Sequence, residues 1–228
     1  MNYLIIGLGN FGLALATRLT AMGHDVFAVD SDMKVVEEYK NSITTTIQVQ
    51  ITDQASLSAL PVDDADEVIV TLGEDIGASI LVVSLLRKAG VKRLVARAIN
   101  PIHKTILETI GVDDVIMPEV YAADLWAVAS ESEDIKGVYL VSDTHQIIEF
   151  EIPTILEGLS LTEANIEQNF LVKIVAIKRQ RQTVNFLGAK SKTYAVIEPE
   201  SDFRFIHADR IILYGAVKDF AKFRKQYR

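Results

Sequence analysis

Three glycines near the start of the chain, Gly7, Gly9 and Gly12, stand in the order Gly-x-Gly-x-x-Gly. The apolar run Tyr3-Leu4-Ile5-Ile6 leads into them, and the helix-favouring run Leu13 to Leu19 follows. A strand that turns through such a loop into a helix offers unpaired backbone N–H groups and a partial positive charge to an anion. Gly7 permits the tight turn, Gly9 lets the backbone approach a phosphate, and Gly12 lets the helix lie close to the strand. A second apolar run, Asp25-Val26-Phe27-Ala28-Val29-Asp30, ends on a carboxylate. A carboxylate at that point suits the two hydroxyls of an adenosine ribose and repels a 2′-phosphate, which disfavours NADP. The competing use of Asp30-Ser31-Asp32 is to cap the next helix, Met33 to Lys40.

Holding this loop requires a sheet, and the chain supplies strands and helices in alternation. Strands are expected at Ser42 to Val49, Glu67 to Thr71, Arg93 to Arg97 and Asp114 to Met117. Helices are expected at Asp53 to Leu60, Glu74 to Ala89 (ended by Gly90), Pro101 to Ile110 (opened by proline, closed by Gly111) and Ala122 to Ser130. Six short strands alternating with helices indicate an α/β fold with a Rossmann-like, doubly wound parallel sheet. After the charged run Glu131 to Lys136 the pattern changes. Val138 to Val141 and Ile147 to Ile152 alternate as a hairpin would, then come a short helix at Leu161 to Asn169 and strands at Leu171 to Ile177, Thr193 to Ile197 and Arg210 to Leu213. A helix from Val217 to Tyr227 completes a small α+β domain. The expected division is a nucleotide-binding domain over 1–132 and a second domain over 135–228.

Composition narrows the function classes. The 228 residues are 49% hydrophobic and 24% charged, enough for a core in each domain, and contain no cysteine, which rules out disulfides and thiolate metal sites. Net charge is −8, divided as −9 over residues 1–132 and +1 over 133–228. Neither part has the positive excess that binding a phosphate backbone requires, so no nucleic acid is expected as partner. The basic tail Lys218, Lys222, Arg224, Lys225 and Arg228 reads as a solvated helix face. The uncharged stretch Met1 to Thr17 lacks a basic leader and is broken by the three glycines, so it does not read as a signal peptide. A soluble, cytoplasmic protein is expected.

A nicotinamide oxidoreductase would also need a proton donor facing the hydride. Of the four histidines, His24, His145 and His207 fall in turns, a hairpin loop or beside a strand, and His103 alone falls where it could approach a ligand. Tyr214-Gly215-Ala216-Val217-Lys218 spells the Tyr-x-x-x-Lys pair of short-chain dehydrogenases, but in the wrong domain and with Gly215 breaking any helix. The expectation is therefore not an enzyme. An NAD-dependent oxidoreductase using His103, or a nucleotide sensor uncoupled from any transporter, are the alternatives.

With chemistry missing and a nucleotide loop present, a further set of residues becomes informative. Gly7 to Gly12, Val29-Asp30, Thr52-Asp53, Val68-Ile69-Val70 with Leu72-Gly73-Glu74, Arg97 to Asn100, Leu107-x-x-Ile110-Gly111-Val112-Asp113 and Met117-Pro118-Glu119 resemble the RCK (KTN/TrkA-N) family. The likeness is to the KtrA/TrkA-type cytosolic regulators of bacterial potassium uptake, and residues 135–228 fit that family's C-terminal domain. The resemblance implies that Gly7, Gly9, Asn10, Phe11 and Gly12 surround phosphates and that Asp30 holds the ribose. Thr52 and Asp53 would border the adenine, Thr71, Leu72 and Gly73 would close the loop after the fourth strand, and Arg97 would meet phosphate. Glu119 matches a glutamate that holds a divalent cation, Mg²⁺ or Ca²⁺, against the nucleotide. Asn10 departs from the family, where many members carry an arginine that reaches the terminal phosphate; the ligand class stays adenine nucleotide, ATP/ADP or NAD(H). Partners implied are a membrane potassium transporter subunit of the KtrB/TrkH type, which would hold the chain at the inner face of the membrane, and copies of the chain itself in a ring, usually an octamer. Cyclic di-AMP at the second domain is a property of some relatives. Trp126 and Leu125 fit either a subunit contact or the chain's own core.

Overall fold

The computed structural model describes residues 1–73, 75–184 and 190–227. Glu74 of the Leu72-Gly73-Glu74 motif and Arg228 of the basic tail lie outside the described residues. The chain forms two compact units, Met1–Tyr121 and Ala122–Arg228. Their division falls inside a helix that precedes the expected boundary at 132–135.

In the first unit, six strands run parallel: β1 Asn2–Ile6, β2 Asp25–Asp30, β3 Thr45–Gln48, β4 Glu67–Val70, β5 Leu94–Arg97 and β6 Asp114–Ile116. Their order in the sheet is β3-β2-β1-β4-β5-β6. The chain therefore builds outward on one side of β1, then returns to build outward on the other. The strand order reverses between β1 and β4, and a crevice opens at the carboxyl ends of strands at such a switch point. Helices α1 Asn10–Ala21, α2 Met33–Tyr39, α3 Gln54–Leu57, α4 Ile76–Ala89 and α5 Pro101–Ile110 connect the strands. Both faces of the sheet are covered, so the last three residues of β1 are all buried: Leu4 and Ile6 face one core with Val68, Val70 and Leu94, and Ile5 faces the other with Ala16, Ala28 and Val95. Each leucine, isoleucine or valine among them stabilises the fold by about 1.5–3 kcal/mol.

Local signals set the helix ends. Asn100 accepts the His103 N–H at 2.8 Å, Pro101 occupies the first turn of α5, and Gly111 closes it at φ 93°. Gly90 closes α4 at φ 76°. Helix α6, Pro118–Ala129, starts four residues earlier than expected, because Pro118 both stops β6 and is preorganised for a first helical position.

The second unit is a five-stranded antiparallel sheet in the order β10-β9-β11-β8-β7, formed by β7 Ile135–Leu140, β8 His145–Glu151, β9 Lys173–Val184, β10 Lys190–Ile197 and β11 Arg210–Ala216. Helices α7 Leu161–Ala164, α8 Ile166–Phe170 and α9 Val217–Gln226 accompany it. Phe223 of α9 meets Phe150 and Phe170 edge-on at 5.0 and 5.1 Å, and all three are buried in one core. The single helix expected over 161–169 is broken at Asn165, whose φ of 45° ends α7. Buried Asp209, just before β11, takes Arg179 Nε and Nη2 at 2.9 and 2.7 Å and the Ile206 N–H at 2.9 Å.

Candidate functional site

The glycine loop joins β1 to α1 at the switch point. Gly7 adopts φ 100°, and its N–H donates to the Val29 carbonyl at 2.8 Å. A Cβ on Gly12 would lie 2.1 Å from the Gly7 oxygen and 2.4 Å from Thr71 Oγ1, so α1 reaches this position only because residue 12 is glycine. Thr71, buried at the end of β4, donates its hydroxyl to the Gly7 carbonyl at 2.6 Å. Leu72 packs over Gly7, where a Cβ would be 2.9 Å from Leu72 Cδ2. Thr71 and Leu72 thus brace the loop from behind. Gly9 is the opposite case: a Cβ there would meet nothing within 4 Å. As the residue before α1 it makes no side-chain cap, and the first turn of α1 contains no acidic residue. The N–H groups beginning at Asn10 and Phe11 therefore open a helix end suited to an anion.

Asp30 closes the next corner. Its Oδ2 accepts the Leu8 N–H at 2.6 Å and its Oδ1 accepts the Asp32 N–H at 2.8 Å. The cap of α2 is Asp32, which accepts the Lys34 N–H at 2.8 Å. The two acids divide the work: Asp32 caps, and Asp30 ties the end of β2 to the glycine loop with lone pairs left on both oxygens. Thr52 and Asp53 lie after β3. Asp53 caps α3 by accepting the Ser56 N–H at 2.8 Å, and Ser56 Oγ accepts the N–H groups of Thr52 and Asp53 at 3.1 and 3.2 Å. The Ser56 N–H, followed by its hydroxyl, holds the Asp53 carboxyl below the usual carboxylate range. Its carboxylate holds the start of α3 through this cap.

Arg97 ends β5. Its guanidinium lies against Gly73, where a Cβ would be 2.4 Å from Nη1, and its side chain is only 17% exposed. Nη2 pairs with Glu119 Oε1 in the first turn of α6, while Nε is buried without a hydrogen-bond partner. Glu119 itself is 61% exposed. Among the described residues no group of three or more His, Cys, Asp or Glu gathers as a metal site. The carboxylate expected to hold a cation is paired with Arg97.

Two further positions bear on chemistry. His103 in α5 is 1% exposed, its ring nitrogens have no partners, and burial pulls its pKa down. It faces the interior and cannot approach a ligand in the crevice. A cavity of about 350 Å³ opens at the amino ends of β1, β2 and β3, lined by Phe27, Thr44, Pro61 and Asp64 among others. It lies at the end of the sheet opposite the glycine loop and contains none of the expected site residues. Three elements of the crevice were not anticipated: the Leu8 N–H, Ser56 and the Arg97–Glu119 pair. Of these, Ser56 had a readable signal, the capping spacing Asp53-x-x-Ser56.

Residues 3–118 match the family model of the TrkA-N domain. Over 225 residues, 99% of this chain and 96% of the relative, the sequence is 30% identical to Ktr system potassium uptake protein C of Bacillus subtilis. Ktr system potassium uptake protein A of the same organism is 27% identical with the same coverage. Among solved structures, the GsuK channel bound to NAD superimposes with a TM-score of 0.54 at 21% identity, covering 98% of this chain. This chain spans about two-fifths (38%) of that channel's chain, and the likeness concerns the fold. Among the described residues no helix is long and apolar enough to cross a membrane. By the domain match and the full-length similarity to the Ktr proteins, the chain belongs to the TrkA-N domain family.

Proposed function

We propose that this protein is a non-catalytic regulatory subunit of a Trk/Ktr-type potassium transporter, binding an adenine nucleotide at the switch-point crevice to gate potassium flux through a membrane subunit. The observation that carries the reading is similarity along the whole chain, in both units, to two Ktr potassium uptake proteins. The crevice supports it. An anion-receptive helix end and a ribose-competent carboxylate at Asp30 flank the glycine loop, the Arg97 guanidinium lies against Gly73 in the loop after β4, and the histidine that could have served as an acid is buried. In this reading Gly7, Gly9, Asn10, Phe11, Gly12 and Arg97 hold the phosphates, Asp30 the ribose, and Thr52 and Asp53 the adenine edge, with residues 1–132 as the nucleotide-binding domain and 135–228 as the second. ATP/ADP and NAD(H) both fit, the latter in keeping with the ligand named for the GsuK channel. A divalent cation shared between Glu119 and the phosphates completes the proposed site.

Gating needs no chemical step. A ligand moves a conformational equilibrium by its difference in affinity between the two states, and a ~100-fold preference supplies about 2.7 kcal/mol per site. Copies arranged in a ring beneath a KtrB/TrkH-type subunit would add these contributions, with the chain peripheral at the cytoplasmic face. The test is to identify by mass the small molecule released when the purified protein is denatured, and to measure potassium uptake by the transporter with and without this subunit. An adenine nucleotide and a change in uptake are expected; hydride turnover with a carbonyl substrate would overturn the reading.

A further inference from the structure

The guanidinium at the crevice already has a carboxylate on it. Arg97 is fixed on its own side: β5 carries it, Gly73 is flattened beneath Nη1, and Nε is enclosed without a hydrogen-bond acceptor. Its partner is not fixed. Glu119 is mostly exposed, in the first turn of a helix that has no buried residue. One ion therefore stays in place while the other can swing away into water at little cost. A phosphate group offers more negative charge than a carboxylate and matches the planar guanidinium fork with two oxygens.

We propose that Glu119 is a built-in competitor for the phosphate position of the crevice. It occupies Arg97 when no nucleotide is bound, and the pyrophosphate of an arriving nucleotide displaces it. The inference rests on the nucleotide reading above and adds a sign to it. In the absence of divalent cations Glu119 weakens phosphate binding, because its bond to Arg97 must be given up first. The displacement also makes the start of α6 sense whether phosphate is present, since the contact that anchors Glu119 to β5 is lost only on binding. Once released, the carboxylate is free to meet a cation, so its effect on affinity reverses when one is supplied.

The experiment is calorimetric titration of ADP and of NADH, both carrying a pyrophosphate, into the full-length protein in buffer containing EDTA. Wild type, Glu119→Gln, Arg97→Gln and the double variant are compared. Glu119→Gln is expected to tighten binding about two- to fivefold, the range of a partly exposed ion pair. The same substitution in the Arg97→Gln background is expected to change nothing. Weaker or unchanged binding by Glu119→Gln overturns the proposal, and so does tightening that persists without Arg97, which would mark a general effect of charge. If wild type binds neither ADP nor NADH, the nucleotide reading itself falls; if it binds while the four proteins fail this pattern, only the competition falls.

Discussion

The Leu8 N–H donates to the Asp30 carboxylate at 2.6 Å, so the acid that ends β2 also holds the turn that follows β1. The two strands are neighbours in the sheet, and this bond fixes how far the glycine loop stands from the end of β2. Asp30 thus has a structural duty that precedes any ligand.

That double duty separates two substitutions. Asp30→Ala removes the acceptor for Leu8 and for the ribose together, and loss of measurable nucleotide binding in calorimetry is expected. Asp30→Asn keeps an oxygen for Leu8 but loses the charge, so a folded protein with binding weakened about tenfold or more is expected. Unchanged binding by Asp30→Ala would contradict the ribose assignment.

Gly12→Ala is expected to damage the loop more than its size indicates. The added methyl would meet the Gly7 carbonyl, a backbone atom pinned by Thr71, and has no flexible side chain to push aside. Destabilisation of about 2 kcal/mol and loss of nucleotide binding are expected, measured by denaturant titration and calorimetry. Gly9→Ala, with open space around it, should leave the unliganded stability nearly unchanged while impairing binding.

Stability of the second unit should depend on Asp209. Its carboxylate satisfies a two-nitrogen contact from Arg179 and the N–H of Ile206, and its removal leaves these donors facing a buried site. Asp209→Ala is expected to cost about 3 kcal/mol, read from the shift in the denaturant midpoint, without altering nucleotide affinity. A shift within experimental error would show that water replaces the carboxylate.

Helix α6 gives the prediction about assembly. It is mostly apolar, with Val120, Tyr121 and Trp126 exposed and no residue buried, and Trp126 is not among the residues of the buried cores. Exposed apolar side chains on such a helix are where a second copy is expected to pack. Light scattering at micromolar concentration should return a mass well above the 25.3 kDa of one chain, and Trp126→Glu should reduce it. A wild-type monomer would refute the ring.

Much of the first unit was legible because its signals are local. Asp25–Asp30 and Pro101–Ile110 form over the expected residues, the latter because Pro101 and Gly111 bracket it in sequence. Elsewhere tertiary context decided. Asn165 breaks a helical run with a left-handed residue, and Leu171 adopts φ 56° just before β9, neither announced by a glycine. The sequence pointed to Asp30, but the division of labour with Asp32 depends on where the Leu8 amide lies, which only the loop's course reveals. Arg97 and Glu119 were each expected at a nucleotide, and their pairing with one another across 22 residues had no sequence signature.

The indole on α6 is the chain's sole tryptophan and is 76% exposed. The protein therefore carries a native optical probe at one known place, and its ultraviolet emission needs no label to interpret. Red-shifted light reports a wet helix; a move to shorter wavelength on concentrating the sample, or on mixing with detergent-solubilised transporter, reports that something has come to lie over it.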